Sequence, residues 1–462
     1  LTDPGSIVEY AIQPMCCLPA ITLFANALGK YLNLTRTLSG FNRLTRAETN
    51  HAGAVLSHKL ASEFSQIAEI DAPIAGVSVE SEFLTNYLEI SSTEDPSDRM
   101  ARTLCPVTTL GCLALFVFSL LFTHSLPMAI TITAAAFAVT APFSMILCAA
   151  LPLLIHNHAA GAENAQVAGY GAVEEFEDVD SVVLSANDLF PGGSITLYGI
   201  KTLGIDKIDD HILDAASIVC YAKSTLAPIF MQVIEGKTQL LRQVDSVVIE
   251  NGMGLSGWVN GRRVLVGNRD LLQNHGIDVP SREYEAKFIQ EHRDIVYLAT
   301  SGEISAMFIV GYAADPHVEK SLGRLLKNNL SMLVCSNDPN ITPRKLATVF
   351  TFPVNMIRII PGKSMGRFHE LKRKKLRMPA NIANDGSMHS FICALSAVRA
   401  IRKSLSLSTL LQSLSIILGF ITVAVVGLTL QQDMGPLTVS NLLIFQSLWS
   451  LASLGLPLLR RV

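Results

Sequence analysis

The stretch VDSVVLSANDLFPGG, Val179–Gly193, decides the fold class of this 462-residue chain. Four of its first six residues are Val or Leu, which predicts a short buried strand, and the Pro-Gly-Gly that follows predicts a turn. An α/β enzyme often presents a nucleophile at such a strand end. Here the predicted strand is followed by Ser-Ala-Asn-Asp. The stretch is therefore either a catalytic loop or a former catalytic loop that has lost its function.

The composition predicts a membrane protein with a water-soluble part. Hydrophobic residues make up 49% of the chain and charged residues 16%, and the mean hydropathy is +0.38. The net charge of −3 indicates no nucleic-acid partner, and the lipid bilayer is the one partner that the composition predicts. The eight cysteines are dispersed without a CxxC pair, which favours buried reduced thiols over a disulfide or a zinc site. Because the chain begins at Leu1 without a signal-like segment, further segments are expected upstream.

Apolar runs long enough to cross a bilayer predict five spans, at 12–31, 104–124, 127–155, 404–428 and 435–457. Two prolines, Asn26 and Lys30 interrupt the first run, whereas the third is apolar throughout. Arg and Lys residues flank the spans on the sides of the two large insertions. The protein is therefore predicted to be a multi-pass protein of the cell membrane with cytoplasmic soluble domains.

Two soluble insertions separate the predicted spans. The first, 32–103, is mixed in composition, mostly helical in pattern and partly acidic. The second, 156–403, alternates strand-like runs such as SVVIE with helical runs such as VEKSLGRLLKN. Such alternation predicts α/β folding in a segment long enough for two small domains.

The order of these parts resembles that of a heavy-metal-type (CPx-like) P-type ATPase. FANALGKYLNLTRTLSGFNRL (24–44) resembles the family's exit from the span before its actuator domain. VDSVVLSANDLFPGG stands where the family has VDTVVFDKTGTLTEG, and GMGLSGWVNGRRVLVGNRDLL (252–272) is close to its nucleotide-domain sequence. The alternative is an unrelated membrane protein with a Rossmann-like domain, which would not reproduce this order.

The resemblance implies a multi-span α-helical membrane protein that carries a cytoplasmic α/β phosphorylation-like domain of the Rossmann-type haloacid-dehalogenase class. An α+β nucleotide-binding-like domain is inserted into it. The implied segments are a first span (1–31), a cytoplasmic segment replacing the actuator domain (32–103), a membrane hairpin (104–156), the phosphorylation-like domain (157–198 and 306–395), the nucleotide-binding-like domain (199–305) and a C-terminal hairpin (396–462).

The catalytic residues that the family requires are mostly replaced. In the resembling family the first Asp of DKTGT attacks the γ-phosphate, and here that position is Ser185. The Asp of TGDN aligns with Asn337, and GDG of GDGxND aligns with Ala380-Asn381-Ile382, which leaves Asp385. Lys363 aligns with the phosphate-neutralising lysine, although a solvated surface lysine is an equal alternative. The resemblance implies ATP and Mg²⁺ as cofactors, and the losses predict that the Mg²⁺ site is gone.

The nucleotide-binding pattern is partly kept. Gly252, Gly254, Gly267 and Asn268 match the positions at which the family's backbone approaches adenine. Tight turns in a small sheet are the alternative explanation for these glycines. The family's His-Pro, which helps to hold the nucleotide, falls on 224–225, where the sequence reads Ser-Thr. Weakened nucleotide binding is therefore expected.

The transport and dephosphorylation motifs are also altered. The membrane Cys-Pro-Cys aligns with Ala-Pro-Phe, so Pro142 remains but the thiolate pair that would select Cu(I) or Zn²⁺ is absent. Cys148 is a weak metal candidate on the same span, with packing as the alternative. The serines of the last span are read as helix packing rather than ion ligation. Segment 32–103 contains no TGES.

The sequence thus predicts a degenerate P-type-ATPase-like membrane protein, a pseudoenzyme without phosphoenzyme turnover whose soluble domains respond to a nucleotide or a partner. The alternative from the enzyme class is an active ATP-driven heavy-metal cation transporter with divergent motifs. A third interpretation is a non-catalytic membrane scaffold or subunit. The residue at position 185 separates the first two interpretations, because an aspartyl phosphate cannot form on serine.

Overall fold

The computed structural model describes residues 17–45, 50–55, 75–204, 207–250, 252–289, 293–360, 376–429 and 437–459. In these ranges the α-helices are α1 (Cys17–Leu44), α2 (Tyr87–Ser91), α3 (Pro96–Thr123), α4 (Leu126–Thr140), α5 (Met145–Gly161), α6 (Tyr170–Phe176), α7 (Ala186–Leu189), α8 (Ile208–Tyr221), α9 (Ala227–Val233), α10 (Arg269–Asn274), α11 (Arg282–Glu285), α12 (Pro316–Lys327), α13 (Pro343–Phe350), α14 (Met388–Thr429) and α15 (Val439–Leu459). The strands are β1 (His51–Val55), β2 (Ala75–Thr85), β3 (Gln166–Val167), β4 (Ser181–Ser185), β5 (Ile195–Thr202), β6 (Val244–Glu250), β7 (Gly254–Val259), β8 (Arg262–Gly267), β9 (Arg293–Thr300), β10 (Glu303–Tyr312), β11 (Ser331–Cys335), β12 (Ile357–Ile360), β13 (Leu376–Pro379) and β14 (Ile382–Asn384).

Four helical segments in the described ranges are long and apolar enough to cross a membrane. They are Pro96–Thr123, Leu126–Gly161, Met388–Thr429 and Val439–Pro457. The chain is therefore a multi-pass membrane protein, as predicted, and the Arg- and Lys-rich flanks place its soluble domains on the cytoplasmic side. Helices α3 and α14 are longer than the predicted spans 104–124 and 404–428 because both continue out of the apolar region into the soluble part.

The first of the five predicted spans stays a prediction, because part of it lies outside the described residues. The first predicted span covers 12–31, of which 12–16 lie outside the described residues, and α1 is not among the four apolar helices. Asn26 and Lys30 lower the mean hydropathy of α1, and the helix continues to Leu44. It nevertheless packs against α5, since a Cβ atom built on Gly29 would lie 2.1 Å from Ile146 Cγ2.

The main sheet has the strand order β12–β11–β4–β2–β1–β14–β3, with β4 third in that order and β13 paired to β2. β4 and β11 run parallel, and their register places Ser185 opposite Cys335. The residues of β4 before Ser185 are buried, as the run of Val and Leu predicts for a strand covered on both faces. Helix α14 packs against β14 and β3, and helix α12 packs against α14.

The prediction that segment 32–103 is mostly helical is wrong at two places. Strands β1 and β2 form an antiparallel pair that enters the main sheet. β2 pairs with β4 through Ala75 and Gly76, and β1 pairs with β14 through His51 and Ala52. This β1–β2 pair therefore separates β4 from β14.

The second sheet is antiparallel, in the order β5–β10–β9–β8–β7–β6. Its strands run from Ile195 to Tyr312 and so extend beyond the predicted limits 199–305. One buried apolar cluster contains residues of both sheets, such as Val182 of β4 and Phe308 of β10. The Phe308 ring also packs against Phe230 of α9, with the ring centroids 4.9 Å apart. The predicted α/β domain with an inserted α+β domain is thus confirmed as the fold class.

Candidate functional site

Ser185 ends β4 and begins α7 as its N-cap. The Asn187 backbone N–H donates to Ser185 Oγ at 3.3 Å, and the Ser185 N–H donates to Asp188 Oδ2 at 3.2 Å. This reciprocal pair is a capping box, which satisfies backbone donors at the start of a helix. At the position of the family's nucleophile, the hydroxyl and the nearest carboxylate therefore both stabilise a local turn.

The loop after β11 contains a buried carboxylate, Asp338, that none of the sequence motifs marks. Asp338 accepts hydrogen bonds from Tyr312 Oη at 2.7 Å, from Thr225 Oγ1 at 3.0 Å and from the Asn340 N–H at 2.9 Å. Burial raises the pKa of Asp338, and these hydrogen bonds oppose the rise. The carboxylate lies among donors from β10, from the loop after α8 and from its own loop, so it joins the two soluble domains.

Asn337 precedes this carboxylate and points to the inserted domain. Its Nδ2 donates to the Ala222 backbone carbonyl at 3.1 Å, and its Oδ1 has no hydrogen-bond partner within the described ranges. Ser224 and Thr225, which stand where the family has His-Pro, are buried rather than open to a cleft. The loop that holds nucleotide in the resembling family is therefore used here in a contact between domains.

Asp385 lies far from Ser185 in the sheet. It follows β14, which is three strand positions from β4, or about 14 Å at roughly 4.8 Å per strand. Its Oδ1 accepts from the Ser387 N–H at 2.9 Å and its Oδ2 from Asn164 Nδ2 at 3.3 Å. The structure does not bring Ser185 and Asp385 together, and Lys363 lies outside the described residues.

The residues around Asp385 are also engaged. Asn381 Nδ2 donates to Glu175 Oε2 at 2.6 Å, and Asn384 Oδ1 accepts from Ser78 Oγ at 2.8 Å. Within the described ranges there is no cluster of three or more His, Cys, Asp or Glu side chains that could hold a metal ion. Loss of the Mg²⁺ site stays a prediction from the replaced carboxylates.

The four glycine-turn residues do lie together. Gly252 has φ +64° and Gly254 φ +147°, both in the region that favours glycine. A Cβ atom on Gly254 would lie 2.3 Å from the Val266 carbonyl oxygen, and one on Gly267 would lie 2.3 Å from that of Met253. Asn268 Nδ2 donates to the Gly252 carbonyl at 2.7 Å. These glycines are required by close backbone packing, which is the tight-turn explanation, and the turn remains a nucleotide candidate.

Pro142 lies where the third predicted span breaks. Helix α4 ends at Thr140 and α5 begins at Met145, with four non-helical residues between them. Cys148 lies one turn into α5 and is buried against the side chains of Ser144, Ser408, Gln412 and Ser453. The thiol is thus placed in a polar cluster rather than in a purely apolar helix contact.

Comparison with known proteins gives related sequences but no matching family model. The copper-exporting P-type ATPase B of Archaeoglobus fulgidus is 20% identical over 286 residues, which cover 62% of this chain and 41% of that protein. The copper-exporting P-type ATPase of Legionella pneumophila is 24% identical over 217 residues, 46% of this chain and 29% of that protein. The silver-exporting P-type ATPase of Salmonella typhimurium is 23% identical over 180 residues, covering 38% and 22%.

A solved structure of a zinc-transporting PIB-type ATPase aligns with 95% of this chain and 86% of its own, at 13% identity and a TM-score of 0.43. The chain spans less than half the length of the three curated relatives named above. The similarities in sequence agree with the resemblance seen in the motifs. The chain is therefore related to the copper- and heavy-metal-transporting P-type ATPases.

Proposed function

We propose that this chain is a P-type-ATPase-like membrane protein that forms no phosphoenzyme and whose soluble domains respond to a nucleotide or a partner. The observation that carries the proposal is the arrangement around Ser185. Its hydroxyl and Asp188 form a capping box, and the β1–β2 pair separates β4 from the strand before Asp385. A serine at this position cannot form the acyl phosphate of the resembling family.

The electrostatics of phosphoryl transfer support the same conclusion. The reaction needs a carboxylate nucleophile, carboxylates that hold Mg²⁺, and positive charge near the moving phosphoryl group. Asn337 and Asn381 replace two of the expected carboxylates, and both amides are engaged elsewhere. Loss of one preorganised electrostatic group lowers a rate by about 10²–10³. Several such losses together would prevent phosphoryl transfer, and Lys363 alone would not restore it.

Weak nucleotide binding is the small-molecule function that the residues still support. The turn keeps Gly252, where a Cβ atom would meet nothing within 4 Å, so the backbone at this residue is open to an approaching ring. Thr225, in contrast, is occupied by Asp338. A nucleotide that bound to the loop with Thr225 would have to break its hydrogen bond to Asp338, which joins the two domains. Nucleotide binding would thereby change the contact between the domains.

The second candidate is an active heavy-metal cation transporter. It is favoured by the relatives, which are named for copper and silver export, and by the helix break that is kept at Pro142. A scaffold that binds no small molecule is the third candidate.

One experiment distinguishes the three candidates. The full chain is reconstituted in liposomes, and ATP hydrolysis is measured with Cu(I), Ag(I) or Zn²⁺, alongside ATP binding with and without Mg²⁺. We expect no hydrolysis above protein-free liposomes and weak binding that does not depend on Mg²⁺. Metal-stimulated hydrolysis would establish the transporter and contradict the proposal, and absence of any nucleotide binding would favour the scaffold.

A matched pair of variants tests the location of the nucleotide. Gly254→Ala brings a Cβ atom to within 2.3 Å of a backbone oxygen, whereas Gly261→Ala, also at positive φ, meets nothing within 4 Å. We expect ATP binding to fall at least tenfold in the first variant and to change little in the second. Equal effects would remove the turn from the proposed site.

A further inference from the structure

Four polar side chains connect the membrane helices to the soluble part at one point. They are Glu163 after α5, Ser321 and Arg324 on α12, and His389 in the first turn of α14. Helices α5 and α14 belong to two of the segments that are apolar enough to cross the membrane, whereas α12 packs against α14 from the soluble part. A change in the contacts among these four side chains therefore affects both parts of the protein.

The imidazole of His389 lies between two of these groups. Its Nδ1 is 2.6 Å from Ser321 Oγ, and its Nε2 is 2.9 Å from Glu163 Oε2. The other oxygen of Glu163 accepts a hydrogen bond from Arg324 Nη2 at 3.3 Å. Ser321 is fully buried, and the other three side chains are partly buried. The four side chains thus form one continuous series of polar contacts across three segments.

Glu163 determines the state of one nitrogen of the ring. Burial acts to raise the pKa of Glu163, but the hydrogen bonds and charges of His389 and Arg324 outweigh burial and lower this pKa. The carboxylate is therefore ionised at neutral pH and can only accept hydrogen bonds. His389 Nε2 must carry a proton, because its lone pair would otherwise face the carboxylate at 2.9 Å.

The hydroxyl of Ser321 determines the state of the other nitrogen. Ser321 Oγ is 2.9 Å from the backbone carbonyl oxygen of His317, one helical turn earlier, and a carbonyl can only accept. Because a hydroxyl has one proton, a neutral His389 ring and this carbonyl would compete for it. If Nδ1 is protonated, it donates to Ser321 Oγ, and Ser321 donates to the carbonyl. Only the protonated ring therefore satisfies both contacts of Ser321 as well as the contact to Glu163.

The titratable groups near His389 come from every element at this point. They are Glu163 after α5, Lys320 and Arg324 on α12, Cys393 on α14 itself and Asp385 in the turn before α14. The two carboxylates favour a positive ring, and the two basic side chains disfavour it. Since the charges on the two sides are equal in number, the hydrogen bonds decide which state of the ring the fold prefers.

We propose that His389 is a proton-operated link between the membrane helices and the soluble part. The protonated ring holds α12, α14 and the end of α5 together through Ser321 and Glu163. When the ring loses its proton, the Ser321 hydroxyl can serve only one of its two acceptors, and the link is weakened. Histidine changes its charge between pH 5 and pH 8, so the link responds to the pH of the cytoplasm. It does not depend on a nucleotide or on residue 185.

The pH dependence of thermal unfolding tests this link. The full chain in nanodiscs is unfolded between pH 5 and pH 8 as the parent protein and as His389→Gln. Glutamine resembles the neutral ring, because its amide can donate to Glu163 and accept from Ser321, but it takes up no proton. The stabilisation by the protonated ring is present at low pH and is lost as the pH rises. We therefore expect His389→Gln to lower the unfolding temperature by about 3 °C or more at pH 5 and by less than about 1 °C at pH 8.

His317→Gln is the matched control. It is the same substitution at an exposed position of α12, where only the backbone carbonyl contacts Ser321. This control should change the unfolding temperature by less than about 1 °C at every pH.

Glu163→Gln provides a second arm, because it removes the charge that favours the protonated ring and leaves Arg324 beside it. In this background, the effect of His389→Gln should be the same at pH 5 and pH 8. Ser321→Ala removes the acceptor of the Nδ1 proton and is measured in parallel, so the test remains decisive if His389→Gln does not fold. Its loss of unfolding temperature should also be larger at pH 5 than at pH 8.

Two results would overturn the proposal. The first is a loss that is equal at pH 5 and pH 8 in His389→Gln or in Ser321→Ala, which would make the cluster a structural contact without a proton switch. The second is a pH-dependent effect of His389→Gln that persists unchanged in the Glu163→Gln background, which would assign the pH dependence to a different partner of the ring.

Discussion

Replacing Tyr312 by Phe isolates the hydrogen bond that joins the two soluble domains. Tyr312 is buried at the end of β10, and its hydroxyl donates to Asp338 Oδ2 at 2.7 Å. Its ring packs edge-on against Phe190, with the centroids 5.5 Å apart. Phenylalanine keeps this ring contact and removes one oxygen atom. The change therefore tests the hydrogen bond without opening a large cavity.

The expected loss follows from the charge and burial of the acceptor. A hydrogen bond to a charged group contributes about 1.5–3 kcal/mol, roughly twice a neutral one. Asp338 keeps hydrogen bonds from two other donors, so its ionised form is less stabilised than in the parent protein but is still hydrogen-bonded. We expect Tyr312→Phe to lower the free energy of unfolding by about 2 kcal/mol. The matched change Tyr198→Phe, at an exposed ring stacked on Arg293, should stay within about 0.5 kcal/mol.

The decrease in the free energy of unfolding caused by Tyr312→Phe should depend on pH in a defined direction. Burial raises the pKa of Asp338 above its ordinary 3.8, so the folded protein keeps this proton to a higher pH than the unfolded chain does. The free energy of unfolding therefore falls as the pH rises from the pKa of Asp338 in the unfolded chain to its higher pKa in the folded protein. The bond from Tyr312 favours the ionised carboxylate, so removing it raises the pKa of Asp338 further. The cost of Tyr312→Phe should be largest at neutral pH and smaller at acid pH.

The assay is urea unfolding of the full chain in detergent with Trp449→Phe, followed by the fluorescence of Trp258, which lies in the second sheet. Asp338→Asn provides the second arm, because the neutral side chain should reduce the cost of Tyr312→Phe to below about 1 kcal/mol. The reasoning is refuted if Tyr312→Phe shifts the transition no more than Tyr198→Phe does. An equal cost in the Asp338→Asn background would also contradict it.

Two further predictions concern the inserted domain and the membrane topology. Asp214→Ala removes the buried partner of two arginines and should lower the free energy of unfolding by about 3–5 kcal/mol, measured by thermal unfolding. The control Lys237→Ala breaks a solvent-exposed ion pair and should change the free energy of unfolding by less than about 0.5 kcal/mol. In a cysteine-free background, His124→Cys should react with an impermeant thiol reagent from outside and Asn274→Cys only from the cytoplasm. Labelling of both from one side would contradict the orientation.

The sequence was sufficient for the features that depend on a local pattern. The apolar run that ends at Ser185 predicted β4, and the alternation of strand-like and helical runs predicted the α/β class. The polar interruptions Asn26 and Lys30 already marked the first predicted span as different from the others. The positive-φ turns at Gly252 and Gly254 follow from glycine's lack of a Cβ atom.

The features that were missed depend on contacts between distant segments. No local pattern shows that β1 and β2 enter the main sheet, because strand pairing there joins residues more than a hundred positions apart. Asp338 was passed over because Asn337 occupied the aligned position, and its burial depends on Tyr312 and Thr225. Glu163, Ser321 and His389 lie in separate segments of the chain, and only the helix packing brings them together.

Phosphorylation of the full chain by ATP tests the central claim most directly. Wild type and Ser185→Asp are incubated with radiolabelled ATP, Mg²⁺ and Cu(I), Ag(I) or Zn²⁺, separated on an acidic gel, and treated with hydroxylamine. We predict no labelled band in either protein, because Asp188 and Ser185 form a local cap and β14 is about 14 Å from β4. A hydroxylamine-sensitive band in wild type would contradict the pseudoenzyme assignment. A band in Ser185→Asp alone would show that the nucleophile is the one missing part.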